Sequence, residues 1–478
     1  MTEAQRTSGL RGLGSQSFRL VLTIVVIEFV SGFTQGFYEP LIPKFGSLLA
    51  VDASGLTLFN TIPTAVAALF VPILTRLGDI KGYRKVLRVV ISTVLLATIL
   101  ILVGVLTRSW ALVLVGRLLN GPIAVWLPLH IALVHAKTEG KRATTAVSAI
   151  VATLTVGTVA GTASAGFIYG AFGSLVPCAA IIPALIFIAV VLVFFVMPEF
   201  VSGADTHIDG KGFVLLGLIM FVAIIGFVTI VEGGVESVLG VAALLVAAGI
   251  AVYWYRYERR TEHPAIDVRV LFSRQLGPLY LGAICYGAVF YGFLSPLATF
   301  LDANPAQMGY GYGFEPSAIS IAQTAILVMT VLAALSLPLI ISRLGAKKGL
   351  ILGFALGTLG FLQWAILATS IAKLAFFIVL VGVGTGIISA AIPVIIPLRA
   401  PRGTHGIATG LFNSAQTLGG ALGSGLFLSL LKVGATPEGA ITAIGYETVW
   451  FTCAAFLFIG LVLVVVLLSR DTHLPPKS

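Results

Sequence analysis

The stretch TRLGDIKGYRK, Thr75 to Lys85, is a short and densely charged segment between two long apolar runs. It holds four basic residues and one acid, Asp79. Gly78 and Gly82 give the backbone freedom to turn tightly. Basic residues that flank apolar runs are typical of loops on the cytoplasmic side of a membrane. The stretch therefore predicts a cytoplasmic turn. It is either a plain flanking loop or a conformational element in which Asp79 clamps a neighbouring helix end.

The composition excludes a soluble globular protein. Of 478 residues, 58% are hydrophobic and 10% are charged, whereas a soluble domain carries about 25% charged residues. The net charge of +10 is explained by cytoplasmic loops that face an anionic leaflet, and nucleic acid is not expected as a partner. The three cysteines lie far apart in apolar runs, so no metal or cofactor is expected. The sequence shows no catalytic motif, and enzymatic activity is not expected.

Apolar runs long enough to cross a membrane as helices, about 20 residues each, recur along the whole chain. The fourteen runs are 20–42, 55–75, 86–107, 109–135, 143–170, 174–197, 212–231, 237–256, 276–301, 317–341, 349–370, 373–398, 406–431 and 445–469.

The basic residues orient these runs. With the N-terminus inside, 24 of the 29 Lys and Arg residues fall in cytoplasmic segments and four in outer loops. This asymmetry favours a cytoplasmic position for both termini. We therefore predict an all-α, multi-pass protein of the cytoplasmic membrane with fourteen transmembrane helices.

The two halves of the chain resemble each other. SRLGAKKG, Ser342 to Gly349, corresponds to TRLGDIKG in the first half, and spans five and thirteen both carry glycines at small-xxx-small spacing. The pattern predicts two six-helix repeats that are separated by a two-helix insertion. The predicted domains are an N-terminal bundle (1–198), an insertion with its cytoplasmic linkers (199–275) and a C-terminal bundle (276–478).

These features resemble the Major Facilitator Superfamily, in the fourteen-span layout of its drug:proton antiporter branch. The loop motif of the family, G-x-L-x-D-R-x-G-R-K-K, is matched at Asp79, Gly82, Arg84 and Lys85. The resemblance implies that this loop takes part in conformational change.

Two further motifs carry the resemblance. In span four, Arg117 and Asn120 stand where the family has R-x-x-Q-G. Span five is similar to the antiporter motif G-x-x-x-G-P-x-x-G-G, with Thr162 in place of its proline. The glycines that match or support this motif, and that we expect to pack against a neighbouring helix, are Gly157, Gly161 and Gly166.

Ionisable residues inside spans are costly and usually functional. Glu28 and Glu39 lie in span one, on one helical face with Gln35. Arg117 in span four lies at a depth where either acid could meet it, whereas His130 is predicted to point away from the face of Arg117. Because arginine stays protonated, the carboxylates are the candidates for proton coupling, with Glu28 favoured as the deeper group.

Polar and aromatic side chains within the other apolar runs are candidates to line a substrate cavity, although such residues also serve as interhelical glue or face lipid. The candidates are Gln35, Tyr38, Asn120, Tyr286, Tyr291, Gln323, Asn413 and Gln416.

The sequence thus predicts a secondary active transporter that works by alternating access. Proton-coupled export of amphipathic or hydrophobic compounds is the first hypothesis. A lipid or nutrient carrier of the same fold and a non-transporting membrane sensor remain as alternatives. The expected partners are a small-molecule substrate, protons and membrane lipids, with the protein acting as a monomer.

Overall fold

The structure, a computed structural model, describes part of the chain. The described backbone covers residues 3–137, 140–197, 209–233, 237–262, 264, 268–271, 273, 275–366, 370–399, 405–436 and 440–468.

Within these residues, all regular structure is helical. The helices are α1 (Glu3–Phe37), α2 (Ile42–Leu49), α3 (Ala53–Lys81), α4 (Tyr83–Leu106), α5 (Trp110–Asn120), α6 (Trp126–Lys137), α7 (Gly140–Phe172), α8 (Leu175–Val191), α9 (Gly210–Gly233), α10 (Val238–Glu258), α11 (Val268–Leu271), α12 (Gly277–Gly292), α13 (Leu294–Asp302), α14 (Pro305–Met308), α15 (Pro316–Leu344), α16 (Ala346–Ala365), α17 (Ile371–Arg399), α18 (His405–Leu430) and α19 (Ala443–Leu467). Short 3₁₀ segments occupy Glu39–Leu41 and Gly121–Val125, and a π-helical turn occupies Leu192–Val196.

Twelve helical segments of the described chain are long and apolar enough to cross a membrane. The predicted runs 212–231 and 406–431 form α9 and α18, but neither helix is among the twelve. The described apolar part of α9, Gly210–Ala223, is shorter than a span. The protein is thus a multi-pass helical membrane protein, and the count of fourteen spans stays a prediction.

The charged turn is shorter than the sequence indicates. Helix α3 continues to Lys81, and the break is Gly82 alone, with φ of 103°. Gly78 lies inside the helix, where an added Cβ would meet the side chain of Leu129, so its small size serves packing. In the second half, the break is Gly345, with φ of 83°. Gly82 and Gly345 are therefore the equivalent turn residues, whereas the alignment of TRLGDIKG with SRLGAKKG in the sequence pairs Gly345 with Gly78.

The chain divides into two compact units. The first comprises Met1–Glu39 and Phe70–His207, and the second comprises Pro40–Leu69 and Ile208–Ser478. The second unit thus includes a segment of the predicted N-terminal bundle. The predicted domain boundaries at 198 and 275 stay a prediction.

In the first unit, α1 and α7 approach each other through glycines. A Cβ on Gly157 would collide with the carbonyl oxygen of Phe29, and one on Gly161 with that of Phe33. Gly32 on α1 is packed equally tightly against the backbone of α7. Gly166 is also buried on α7. The absence of side chains lets the two backbones touch and fixes the position of α1.

We expect Gly161→Ala to destabilise the protein by about 1–3 kcal/mol, because the new methyl group forces two packed backbones apart. Thermal unfolding of the purified protein in detergent measures the effect. Gly170→Ala on the same helix is the control, since a Cβ there has no neighbouring atom within 4 Å. Equal unfolding temperatures for the two variants would contradict the packing role.

In the second unit, α12 and α18 pack in the same way. A Cβ on Gly287 would meet the carbonyl oxygen of Gln416, and one on Gly419 that of Ile284. Each of the two units therefore contains a helix pair that packs backbone to backbone through glycines, as expected for related repeats.

The second unit also contains an aromatic cluster around Phe300. Its ring lies 5.2 Å from that of Tyr446 and 5.7 Å from that of Trp364, centroid to centroid. The hydroxyl of Tyr446 donates to Thr299 Oγ1 at 3.0 Å, and the hydroxyl of Tyr310 donates to a backbone carbonyl. The cluster ties α13, α16 and α19 together.

Candidate functional site

Glu28 on α1 and His130 on α6 form a buried pair in the first unit. His130 Nδ1 lies 2.6 Å from Glu28 Oε1, and both side chains have 0% exposure. Among the described residues, Glu28 Oε2 and His130 Nε2 have no hydrogen-bond partner. The pair can hold one proton between its two groups, and it has a further polar atom on each side.

The prediction that His130 points away is wrong, because span four does not wind as one α-helix. Its five residues from Gly121 to Val125 form a 3₁₀ segment. Each 3₁₀ residue turns the chain by about 120° where an α-helical residue turns it by about 100°. The segment therefore adds about 100° of rotation. The added rotation moves His130 from roughly the opposite side of the span to within about 40° of the face of Arg117.

Arg117 on α5 interacts with the other acid of the first span. It is 7% exposed, and Glu39 and Tyr38 act electrostatically on its guanidinium, Glu39 more strongly. Glu39 is therefore the acid that acts on Arg117, whereas Glu28 is paired with His130. Asn120, one turn further along α5, is buried and its Oδ1 has no partner among the described residues.

The charged turn clamps a helix end through arginine. Arg84 Nε donates to the carbonyl oxygen of Val193 at 3.3 Å, and its Nη2 donates to that of Phe194. Arg88 donates to the same Phe194 oxygen at 3.0 Å and lies over the Phe194 ring. Carbonyls at a helix C-terminus lack intrahelical partners and favour cations. The side chain of Asp79 lies outside the described residues, and Lys85 is exposed.

The second unit repeats this clamp. Lys347, two residues after the turn glycine Gly345, donates through Nζ to the carbonyl oxygens of Val465, at 3.1 Å, and Leu468. Arg84 likewise stands two residues after Gly82. In each half, a cation that follows the turn holds the end of a later helix.

The predicted cavity residues are found in different environments. Gln35 is exposed on α1 and donates to Ser31 Oγ at 3.1 Å. In the second unit, Gln323 is buried and donates to the carbonyl oxygen of Leu294 at 3.1 Å. Asn413 is exposed, and Gln416 is half-buried on α18.

Tyr286 and Tyr291 belong to an aromatic row on α12. The Phe290 ring lies 5.4 Å from that of Tyr286 and 5.2 Å from that of Tyr291. Tyr286 is fully buried. Tyr291 is half-buried, and a role for either ring in a substrate cavity stays a prediction.

The helical spans of the described chain define a multi-pass membrane protein. The sequence profile of the Major Facilitator Superfamily matches residues 24–424 and 303–478, and the chain belongs to this family.

Two relatives of known function are similar to this chain over most of their length. The uridine/deoxyuridine transporter of Lactococcus lactis subsp. cremoris is 24% identical over 443 residues, which cover 89% of this chain and 88% of that protein. The quinolone resistance protein NorB of Staphylococcus aureus (strain bovine RF122 / ET3-1) is 24% identical over 437 residues, which cover 88% of this chain and 90% of that protein.

Solved structures share the fold. The nucleoside transporter NupG aligns with a TM-score of 0.63 at 15% identity, covering 94% of this chain and 98% of that chain. The POT family transporter PepTSo aligns with a TM-score of 0.66 at 17% identity, covering 94% of this chain and 97% of that chain.

Proposed function

We propose that this protein is a secondary active transporter that exports amphipathic or hydrophobic compounds in exchange for protons. The observation that carries the proposal is the Glu28–His130 pair. Both side chains have 0% exposure inside membrane spans. Burial of ionisable groups there costs free energy, and such groups usually form ion or proton pathways.

The pair has the chemistry that coupling requires. With one proton shared, it is neutral overall, either as carboxylate and imidazolium or as carboxylic acid and imidazole. Gain of a second proton leaves a positive charge in the span, and loss of the shared one leaves a negative charge. Both states are unfavourable without water, so proton exchange is tied to conformations in which water reaches the pair.

The clamps at Arg84 and Lys347 supply contacts that can break during alternating access. Each is a charge-assisted bond from a turn to the end of another helix. Such bonds are strong for their size, yet they lie at helix ends where water can replace them. A third contact that water can replace is an ion pair in the second unit. Lys44 Nζ on α2 lies 3.4 Å from Asp302 Oδ1 on α13.

We expect Asp302→Asn to change the initial transport rate by about two- to fivefold with little loss of stability, because a partly exposed pair contributes at most about 1 kcal/mol. The ion pair stabilises one conformation and so biases the equilibrium between them. Transport rates in proteoliposomes measure the change. Asp302→Glu keeps the charge and is the control. If both variants transport like the unmodified protein, Lys44 and Asp302 have no gating role.

The proposed topology places both termini in the cytoplasm, together with the linker before α9 and the linker after α10. Lys211 Nζ lies 4.8 Å from the Tyr257 ring centroid, and the Arg259 guanidinium lies 5.8 Å from that of Tyr255. Basic and aromatic residues at helix ends are typical of a membrane interface.

We expect Lys211→Cys and Arg259→Cys, each in a cysteine-free background, to react with a membrane-impermeant thiol reagent only from the cytoplasmic side. Lys432→Cys, in a predicted outer loop, is the control and is expected to react from outside. Labelling of position 259 from outside would overturn the fourteen-span topology.

Carriage of a nucleoside is the second candidate, and the similarity to a uridine/deoxyuridine transporter favours it. Transport in proteoliposomes, with and without an imposed pH gradient, separates the candidates. We expect a quinolone to move against its gradient when protons flow the opposite way. Movement of uridine in place of the quinolone would support the second candidate. Movement of neither probe under any gradient would contradict both and favour a sensor.

A further inference from the structure

Thr162 makes a hydrogen bond that differs from those of the three other threonines on α7 whose side chains the structure describes. Its Oγ1 donates to the carbonyl oxygen of Gly36 on α1 at 3.1 Å, and the contact is buried. Thr153, Thr155 and Thr158 on α7 all donate to carbonyls of their own helix, four residues back. Thr162 alone among these four joins α7 to another helix.

The residue four positions after Gly36 explains why the Gly36 carbonyl oxygen can accept a hydrogen bond from Thr162. In an α-helix, this oxygen would accept a bond from the N–H of the fourth residue on. That residue is Pro40, which has no N–H. Helix α1 ends at Phe37 and a 3₁₀ turn begins at Glu39. An unpaired carbonyl within the membrane costs several kcal/mol, and the Thr162 hydroxyl satisfies it.

The acceptor lies directly before the residues that act on Arg117. Gly36 precedes Tyr38 and Glu39 by two and three residues, and both interact electrostatically with the Arg117 guanidinium. A bond that fixes Gly36 to α7 therefore fixes the direction in which the end of α1 presents these side chains. The antiporter motif has proline at the position of Thr162, and proline carries no donor for this contact.

We propose that Thr162 is a positioning residue that replaces the backbone donor lost at Pro40 and thereby fixes the end of α1, which carries Tyr38 and Glu39. Its effect on coupling rests on the proposed function, whereas its hydrogen-bond role does not. Pro40 and Thr162 thus form a compensating pair. Removal of the donor matters only while residue 40 is proline.

A four-variant cycle tests the proposal. Thr162→Val removes the donor at nearly constant shape, Thr162→Ser keeps it, Pro40→Ala restores the backbone N–H, and the fourth variant combines Pro40→Ala with Thr162→Val. Thr158→Val is the matched control, because Thr158 donates to Leu154 of its own helix. Hydrogen exchange of the segment 33–41 reads the local structure without any transport assay.

We expect Thr162→Val to speed exchange in this segment by roughly tenfold, since a buried acceptor loses its partner. Thr162→Ser, Thr158→Val and the double variant are expected to stay within about twofold of the unmodified protein. In proteoliposomes, Thr162→Val is expected to lower the rate of pH-driven transport by roughly tenfold, because Tyr38 and Glu39 lose their fixed position at the end of α1. The double variant is expected to recover that rate.

Normal exchange in Thr162→Val, or a double variant as impaired as Thr162→Val, would overturn the proposal. Altered exchange that Pro40→Ala rescues, together with transport whose pH dependence is unchanged, would contradict the role in coupling and leave the hydrogen bond established. Absence of pH-driven transport in the unmodified protein would contradict the proposed function alone, because the exchange cycle does not depend on it.

Discussion

We expect Glu28→Gln to abolish proton-driven transport while substrate binding and substrate exchange persist. Glutamine keeps the shape of the side chain and a polar contact to His130, but it cannot take up or release a proton. The steps that carry substrate across do not need the carboxylate, whereas the step that couples them to the proton gradient does. The separation of the two activities is what identifies a coupling group.

The measurement compares two assays on the same proteoliposomes. Uptake driven by a pH gradient is expected to fall to background, and counterflow between equal substrate pools is expected to stay within about threefold of the unmodified protein. Leu22→Ala, at an exposed position on the same helix, controls for changes in α1. If Glu28→Gln transports with unchanged pH dependence, Glu28 is structural and Glu39 becomes the next candidate.

A substitution of His130, the partner of Glu28, tests the coupling role of the pair further. His130→Gln leaves the Glu28 carboxylate in a fully buried position without its imidazole. Because an uncompensated buried charge is strongly unfavourable, we expect this variant to lose coupling as well. Retention of proton-driven transport in His130→Gln would show that the carboxylate works without the histidine.

We expect Arg117→Ala to fail more broadly, with lower stability, weaker substrate binding and no transport. The change removes the positive charge that Glu39 and Tyr38 face. Breaking a buried pair on one side costs about 3 kcal/mol or more, and the lower end of the range applies here because Glu39 is only partly buried. Thermal unfolding in detergent and transport in proteoliposomes measure the two effects.

A double variant separates the role of the two charges in transport from their effect on stability. Glu39→Gln combined with Arg117→Ala removes both charges, and we expect it to regain most of the stability without regaining transport. Recovery of transport would show that the pair is only structural. A single Arg117→Ala protein with normal stability would show that Glu39 does not depend on Arg117.

The features that the sequence predicts well are local ones. Long apolar runs become helices because an α-helix satisfies the backbone hydrogen bonds of a membrane-spanning segment within the segment itself. Glycines at small-xxx-small spacing, such as Gly157 and Gly161, lie where helix α1 touches α7. Glu28 and Arg117 stand out because charge within an apolar run is rare. These inferences need only composition and spacing.

The features that the sequence does not predict are pairings across the chain and changes of helical winding. Arg84 and Phe194 are separated by 110 residues, and no local sequence pattern predicts their contact. His130 is misplaced because a helical wheel assumes a constant rotation, which the 3₁₀ segment breaks. Pro122 beside Gly121 is the one signal that could have found it, since proline disrupts α-helical hydrogen bonds.

The 3₁₀ segment of span four has a consequence for how function is transferred between relatives. The position of His130 beside Glu28 depends on the winding of Gly121–Val125 as well as on the identity of residue 130. A relative with histidine at the aligned position but with an uninterrupted α-helix would turn that histidine by about 100°, away from the acid. Aligned identity at this position is therefore informative only when the five residues before Trp126 can also adopt the tighter helix.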